Sequence, residues 1–205
     1  MRIYDISQEV FGCAVFPGDT SPEREVRLRI REGDACNLSD FRMCAHNGTH
    51  VDAPFHFFDG GKTVDQLPLD RLIGPAFVAE HTGPIEAADA GRLLDRARAA
   101  DARAAERLLI KGDAVVTPEA AKVFADNAVK LFGNESQTVG PEDAPKEVHQ
   151  ILLGAEIVLL EGIRLSDVPE GVFLLHAVPL NLGGCDGAPC RATLICWTDG
   201  GNRAG

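Results

Sequence analysis

His46-Asn47-Gly48-Thr49-His50-Val51-Asp52-Ala53-Pro54-Phe55-His56 places three histidines and one aspartate within eleven residues. Those ionisable residues fall at positions 46, 50, 52 and 56. In an extended segment alternate side chains share a face, so all four can point the same way. The composition predicts an extended segment. Asn47-Gly48 breaks helices, Thr49 and Val51 are β-branched, and Pro54 would lose a hydrogen bond inside a helix. Neutral imidazoles and a carboxylate converging on one point suit a borderline divalent cation such as Zn²⁺ or Mn²⁺. A single histidine on a strand is ordinarily a satisfied polar group or a surface residue. Four such residues in register, beside a glycine that admits close backbone approach, point to a metal site instead. His81 stands alone between Glu80 and Thr82-Gly83-Pro84 and reads as a strand-end histidine entering a loop.

Outward from this stretch, strands are predicted at Arg2–Ser7, Glu25–Arg31 and Asp40–Ala45, with a turn at Phe16-Pro17-Gly18-Asp19. Leu67–Gly74 reads as a short helical turn before a strand at Ala76–His81. Glu86–Ala105 is rich in Ala, Leu, Arg and Asp and is predicted helical, with a break. Thr117-Pro118-Glu119 carries a Thr N-cap and a first-position Pro, opening a helix to about Val129. Buried strands are predicted at Arg107–Lys111, Leu131–Gly133 and Ile157–Leu160, with a loop at Pro141–Pro145. Lys146–Leu153 forms a helix closed by Gly154. Strands at Val172–Ala177 and Arg191–Trp197 flank a loop at Gly183-Gly184, and Asp199–Gly205 is expected to fray. Strands and helices mix without regular βαβ alternation, giving an α/β class and one domain over residues 1–205.

The apolar fraction of 45% and charged fraction of 25% are those of a globular protein with a real core. A net charge of −11 argues against nucleic acid as a partner, because phosphate binding needs clustered cations. Arg92, Arg96, Arg98 and Arg103 alternate with Asp95, Asp101 and Glu106, which reads as a solvated helical face. No segment is long and apolar enough for a membrane span; Ile151–Ile163 is too short and carries two glutamates. The six cysteines form no CxxC pair, and the opening residues lack a signal-peptide apolar run, so reduced thiols and a cytoplasmic location are expected. Neither Cys44 nor Cys185 sits in a recognisable nucleophile context.

Two further ionisable residues stand out, His149 on the Lys146–Leu153 helix and Glu161 at the end of the apolar strand. A functional position and an ordinary exposed one are equally compatible with each. The stretch 46–56 matches the H-x-G-T-H-x-D-A-P-x-H signature, and the chain thereby resembles the metal-dependent cyclase family, whose best-known members are bacterial kynurenine formamidases. The resemblance runs on through Tyr4-Asp5-Ile6-Ser7, Phe16-Pro17-Gly18-Asp19, the His149 and Glu161 separation, Pro179-Leu180-Asn181-Leu182, Asp186-Gly187-Ala188-Pro189 and Arg191-Ala192.

The resemblance implies a layered, swivelling β/β/α architecture around a barrel-like mixed sheet, with metal at one end. It implies that His46, His50 and Asp52 hold one divalent metal, Zn or Mn, and that Asp52 bridges to a second held by His149 and Glu161. His56 would be the catalytic acid/base and Phe16 the substrate-contacting aromatic, a position commonly Trp in formamidases. Spacing alone leaves His56 open as a ligand. At Gly133-Asn134-Glu135-Ser136-Gln137-Thr138-Val139-Gly140-Pro141 the chain departs from the Gly-x-Asp-x-x-Ser-x-Asp-Pro pattern of many formamidases. Glu135, Thr138 and Gly140 stand where those carry Asp, Ser and Asp.

The implied function is metal-dependent hydrolysis of a small amide, most simply an arylformamide. The alternatives are a cyclic amide or lactone, as in the isatin hydrolases that resemble the same family, or a catalytically silent metal- or ligand-binding protein. Retention of His56 beside the complete ligand set favours an enzyme. The implied partners are a small-molecule substrate and further copies of the chain in a homo-oligomer, a dimer or tetramer.

Overall fold

The computed structural model describes residues 1–197, so the expected fraying at Asp199–Gly205 lies outside the described residues. The strands, in chain order, are β1 (Arg2–Asp5), β2 (Glu23–Leu28), β3 (Leu38–Arg42), β4 (His50–Asp52), β5 (Ile73–Glu80), β6 (Gly83–Ile85) and β7 (Arg107–Lys111). They continue with β8 (Ala114–Val116), β9 (Leu131–Asn134), β10 (Val158–Glu161), β11 (Gly171–His176), β12 (Gly187–Pro189) and β13 (Thr193–Cys196). The α-helices are α1 (Leu69–Leu72), α2 (Ala87–Ala100), α3 (Pro118–Asp126) and α4 (Lys146–Gly154).

Nine strands form one mixed sheet in the order β1-β13-β11-β5-β7-β9-β10-β4-β12. Its centre, β5-β7-β9-β10, is parallel, and both flanks are antiparallel. Parallel strands need covering on both faces, and their sequences are continuously apolar for that reason. Leu108 and Ile110 of β7, with Phe132 of β9 and Leu159 of β10, face Leu93 and Leu94 of α2, Phe124 of α3 and Leu152 of α4. The intervening Leu109 and Leu160 face the opposite side. There they meet Val51 of β4, Leu175 of β11 and Leu194 of β13. Strands β4 and β13 are far apart in the sheet order yet share this apolar cluster, so the sheet curls into a half-barrel with helices on its outer face. That is the layered, barrel-like α/β arrangement expected. β2 and β3 form a separate two-stranded ribbon, and β6 and β8 a short parallel pair.

Local chemistry explains the element ends. Thr117 Oγ1 accepts from the Ala120 amide at 3.2 Å and Pro118 opens α3, as the capping signal predicts. The helix stops at Asp126, short of Val129, because Ala128 takes a left-handed φ of 56°. Gly154 does not close α4. It lies in the last turn, where an added Cβ would meet the Phe58 ring at 3.4 Å, and the left-handed residue is Glu156 at φ 59°. The predicted helix over 86–105 divides into α2 and a 3-10 turn at Ala104–Glu106. The six cysteines are unpaired. Among the described residues no helix is long and apolar enough to cross a membrane.

The 46–56 stretch is not one extended segment. Only His50–Asp52 is strand. Gly48 turns the chain with φ 66°, and Pro54–His56 is a 3-10 turn with Pro at its first position. The four ionisable side chains therefore converge by a turn, a strand and a second turn, and not by strand alternation.

Gly162 locks this region to β10. Its carbonyl accepts from Thr49 Oγ1 at 2.7 Å and Gln8 Nε2 at 2.8 Å, and its amide donates to Ser136 O at 2.7 Å. With φ 67°, an added Cβ would collide with Gln137 Nε2 and Gly48 O and lie 2.6 Å from Gln8 Nε2. Gly162→Ala should therefore cost at least about 2 kcal/mol in chemical denaturation. Gly60→Ala, where a Cβ meets nothing within 4 Å, should change stability by no more than about 0.5 kcal/mol. Equal stabilities for the two variants would contradict the packing described.

Candidate metal centre

The antiparallel register of β4 against β10 places His50 opposite Glu161 and Asp52 opposite Leu159. His50 and Asp52 therefore emerge beside Glu161, and α4 brings His149 over the same point. His46 Nδ1 lies 2.8 Å from Asp52 Oδ1. His50 Nε2 lies 3.3 Å from both Asp52 Oδ1 and Glu161 Oε2. His149 Nε2 lies 3.3 Å from Glu161 Oε1 and 3.8 Å from Asp52 Oδ2. Two groups of three share Asp52: His46, His50 and Asp52, and Asp52, His149 and Glu161. In each, one donor atom per residue lies within 4.8 Å of the others.

The rear nitrogen of each histidine is engaged. His50 Nδ1 donates to Gly48 O at 3.0 Å, and His149 Nδ1 donates to Pro145 O at 2.8 Å. A carbonyl can only accept, so Nδ1 carries a proton and Nε2 is the nitrogen presented to the carboxylates, able to ligate a cation once its own proton is displaced. His46 is reversed, with Nδ1 inward and Nε2 on Asp186 Oδ2 at 2.8 Å.

This donor set fits a divalent cation. His50, Asp52, His149 and Glu161 are all at most 3% exposed. His50 Nε2 and Asp52 Oδ2 are buried with no hydrogen-bond partner among the described residues, although oppositely polarised atoms lie within 4 Å. Buried polar atoms close together but misaligned for mutual hydrogen bonding are placed as if around a shared ion. Imidazole nitrogens and carboxylate oxygens are the ligands zinc and manganese accept.

Burial works against charge on His46, yet the carboxylates of Asp52 and Asp186 outweigh it and push that imidazole up to about 11. Burial also opposes charge on His50, and Asp52 and Glu161 overcome it, raising it to about 9. His149 is raised, against its burial, by Glu161 and Asp52. Burial would lift Asp52, but His46 and His50 hold it well below the usual carboxylate range. Hydrogen bonds from His46 and His56 keep Asp186 low as well. Protons on the histidines thus occupy the role a cation would take.

A cavity of about 230 Å³ opens over these residues. His56 stands at its wall, its ring 4.1 Å from the His46 ring and 6.3 Å from the His149 ring between centroids. Phe16 lines the cavity with Asp19, Phe57, Gln137, Thr138 and Pro145. All seven residues singled out from sequence thus meet at one place. Sequence reasoning passed over Asp186, Phe57 and Gln137 as site residues. The Asp186-Gly187 pair was visible as a motif, but its contact with His46 depends on β12 pairing with β4.

The family model for the cyclases matches residues 4–141, two thirds of the chain. This chain belongs to the cyclase family. Its curated relatives include a kynurenine formamidase of Salinibacter ruber (strain DSM 13855 / M31), 37% identical over 95% of this chain and 97% of that protein. Another, from Paracidovorax citrulli (strain AAC00-1), is 34% identical over 94% and 95%. Among solved structures, one described as a potential metal-dependent hydrolase with cyclase activity superposes with a TM-score of 0.78 at 28% identity. It covers 94% of this chain and 96% of that one. Isatin hydrolase A from Labrenzia aggregata shares the fold at TM-score 0.78 and 21% identity, over 94% and 93% of the two chains. The cyclase model includes His46–His56; His149, Glu161 and Asp186 lie beyond it, within the near-full-length similarity to the formamidases.

A cation entering the cluster must displace imidazolium protons. Zinc affinity should therefore weaken about tenfold per pH unit for each proton displaced as pH falls from about 8 to about 6, with proton release in calorimetry. A pH-independent affinity would contradict this. After chelation the sign reverses. The imidazolium pairing stabilises the fold fully below about pH 6.5 and is lost as pH rises through about 9 and about 11. His50→Ala should abolish tight zinc binding; unchanged metal content would remove His50 from the ligand set.

Proposed function

We propose that residues 1–205 form a metal-dependent amidohydrolase that cleaves a non-peptide C–N bond in a small amide, of arylformamide type. The observation that carries this reading is the pair of three-residue groups sharing Asp52 beneath a cavity walled by His56. His46, His50 and Asp52 would hold one divalent ion, and Asp52, His149 and Glu161 a second, both Zn or Mn. Bound there, such an ion supplies a water acidified from 15.7 toward about 7 and a Lewis acid for the substrate carbonyl oxygen.

Asp52 suits the shared position because its oxygens face different partners, Oδ1 toward His46 and His50, Oδ2 toward His149. Val139 N donates to Glu161 Oε1 at 2.8 Å and holds that carboxylate in place. His56 Nδ1 is engaged by Asp186 Oδ2 at 3.2 Å, leaving Nε2 to take a proton from the attacking water and deliver it to the leaving nitrogen. Phe16, Phe57 and Pro145 form the apolar part of the cavity wall, suited to an aryl ring. The similarity to kynurenine formamidases over nearly the whole chain supports the same substrate class. Glu135, one of the departures from their pattern, accepts from the Gly112 and Leu165 amides at 2.8 Å each and so anchors the loop whose Gln137 and Thr138 line the cavity. The departure does not touch the ligand set.

Purified protein should hydrolyse N-formylkynurenine and lose that activity to a chelator. Metal without turnover would move the substrate to a cyclic amide or lactone; turnover insensitive to chelation would overturn the reading. His56→Ala should keep its metal and lose turnover by about 10²–10⁴-fold. Metal content that collapses in this variant would make His56 a ligand.

A further inference from the structure

Of the three histidines whose inner nitrogen faces the buried carboxylates, two rest their rear nitrogen on a backbone carbonyl, Gly48 O and Pro145 O. The third, His46, rests on a carboxylate. The same oxygen, Asp186 Oδ2, accepts from His46 Nε2 at 2.8 Å and from His56 Nδ1 at 3.2 Å. We infer that Asp186 is a positioning residue that orients the His46 ligand and the His56 acid/base together through one shared oxygen. The inference rests on the metal-dependent hydrolase reading.

The geometry demands both orientations. A carboxylate is acceptor-only, so each nitrogen facing it is protonated. For His46 that fixes the Nε2 proton, and Nδ1, 2.8 Å from Asp52 Oδ1, is the nitrogen that would give up its proton to ligate a cation. For His56 it leaves Nε2 without the Asp186 contact, on the wall of the cavity. The two rings are in contact, tilted by 31° with centroids 4.1 Å apart, so the position of one constrains the other.

The support for Asp186 is built in. Its carbonyl accepts from the Ala53 amide at 2.9 Å, and the preceding Cys185 carbonyl accepts from Val64 N at 2.9 Å. Gly187 pairs with Asp52 across the β12–β4 ladder. A Cβ on Gly187 would meet His46 Cε1 and Val51 O, each at 2.8 Å, so the His46 ring lies close against this backbone. Asp186 itself is 41% exposed at the side chain, against 1% for Asp52. It therefore serves as an outer brace and not as a buried ligand.

The test is zinc affinity by chelator competition and ¹⁵N NMR of the imidazoles in the zinc-loaded protein, for wild type, Asp186→Ala and Asp186→Asn. Loss of the acceptor should weaken zinc binding by roughly 10–100-fold at unchanged stoichiometry and lower kcat at saturating zinc with little change in KM. His56 should be an Nδ1–H tautomer in the wild type and a tautomer mixture in Asp186→Ala. Asp186→Asn retains one acceptor oxygen in the same shape, folds if the alanine variant does not, and should fall between the two. An unchanged His56 tautomer, or an unchanged zinc affinity, overturns the shared-brace role. Loss of one bound ion at saturation would make Asp186 a ligand and overturn it equally. Affinity and tautomer are read without any substrate. A wild type that hydrolyses none of the tested amides would therefore count against the proposed reaction and leave these two readouts intact.

Discussion

Two carboxylates, Asp52 and Glu161, lie almost wholly buried at the ends of neighbouring antiparallel strands. An isolated carboxylate in such surroundings is strongly disfavoured, because nothing replaces the water it loses. The remainder of the site answers that constraint. His46, His50 and His149 close around the two groups as positive charge, as cation ligands, or as both in turn. The apolar fold supplies the burial that makes the requirement severe, with β9 and β10 packed between the helix layer and the half-barrel interior.

Because the carboxylates sit at strand ends, the elements that reach them can come from distant parts of the chain without disturbing the sheet. β4 arrives as a short antiparallel strip on β10, α4 covers the same point from outside, and β12 completes the edge. Each histidine is held from behind by a different part of the chain: the Gly48 turn, the start of α4, and the loop before β12. A rigid scaffold therefore fixes which nitrogen faces inward, which ligation requires in addition to the presence of the residue.

The positions most legible in the sequence were those whose chemistry is local. Thr117-Pro118 announces the start of α3 because capping needs only adjacent residues. Leu108-Leu109-Ile110 reads as a strand covered on both faces because continuous apolarity has no other soluble home. The density of ionisable residues at 46–56 signals a site for the same reason. Gly154 misleads because glycine suits both a helix stop and a tight packing contact, and here Phe58 decides between them. The expectation of one extended face for positions 46, 50, 52 and 56 also failed in its mechanism. Gly48 and Pro54 break the strand on either side of His50–Asp52, yet the turns they introduce deliver His46 and His56 to the same cluster.

By itself, the sequence determined the inventory: a mixed α/β chain, a His/Asp signature of divalent-metal type, and two further ionisable candidates at His149 and Glu161. These follow from residue type and short-range spacing, which are properties of the unfolded chain as much as of the folded one. Only the tertiary structure decided that His149 and Glu161 close on Asp52, that His46 turns its Nδ1 inward while the others turn Nε2, and that Asp186 lies behind both His46 and His56. Those outcomes depend on strand register and helix placement across separations of up to 140 residues. No local preference encodes them, because they arise from how the apolar faces of the sheet are covered.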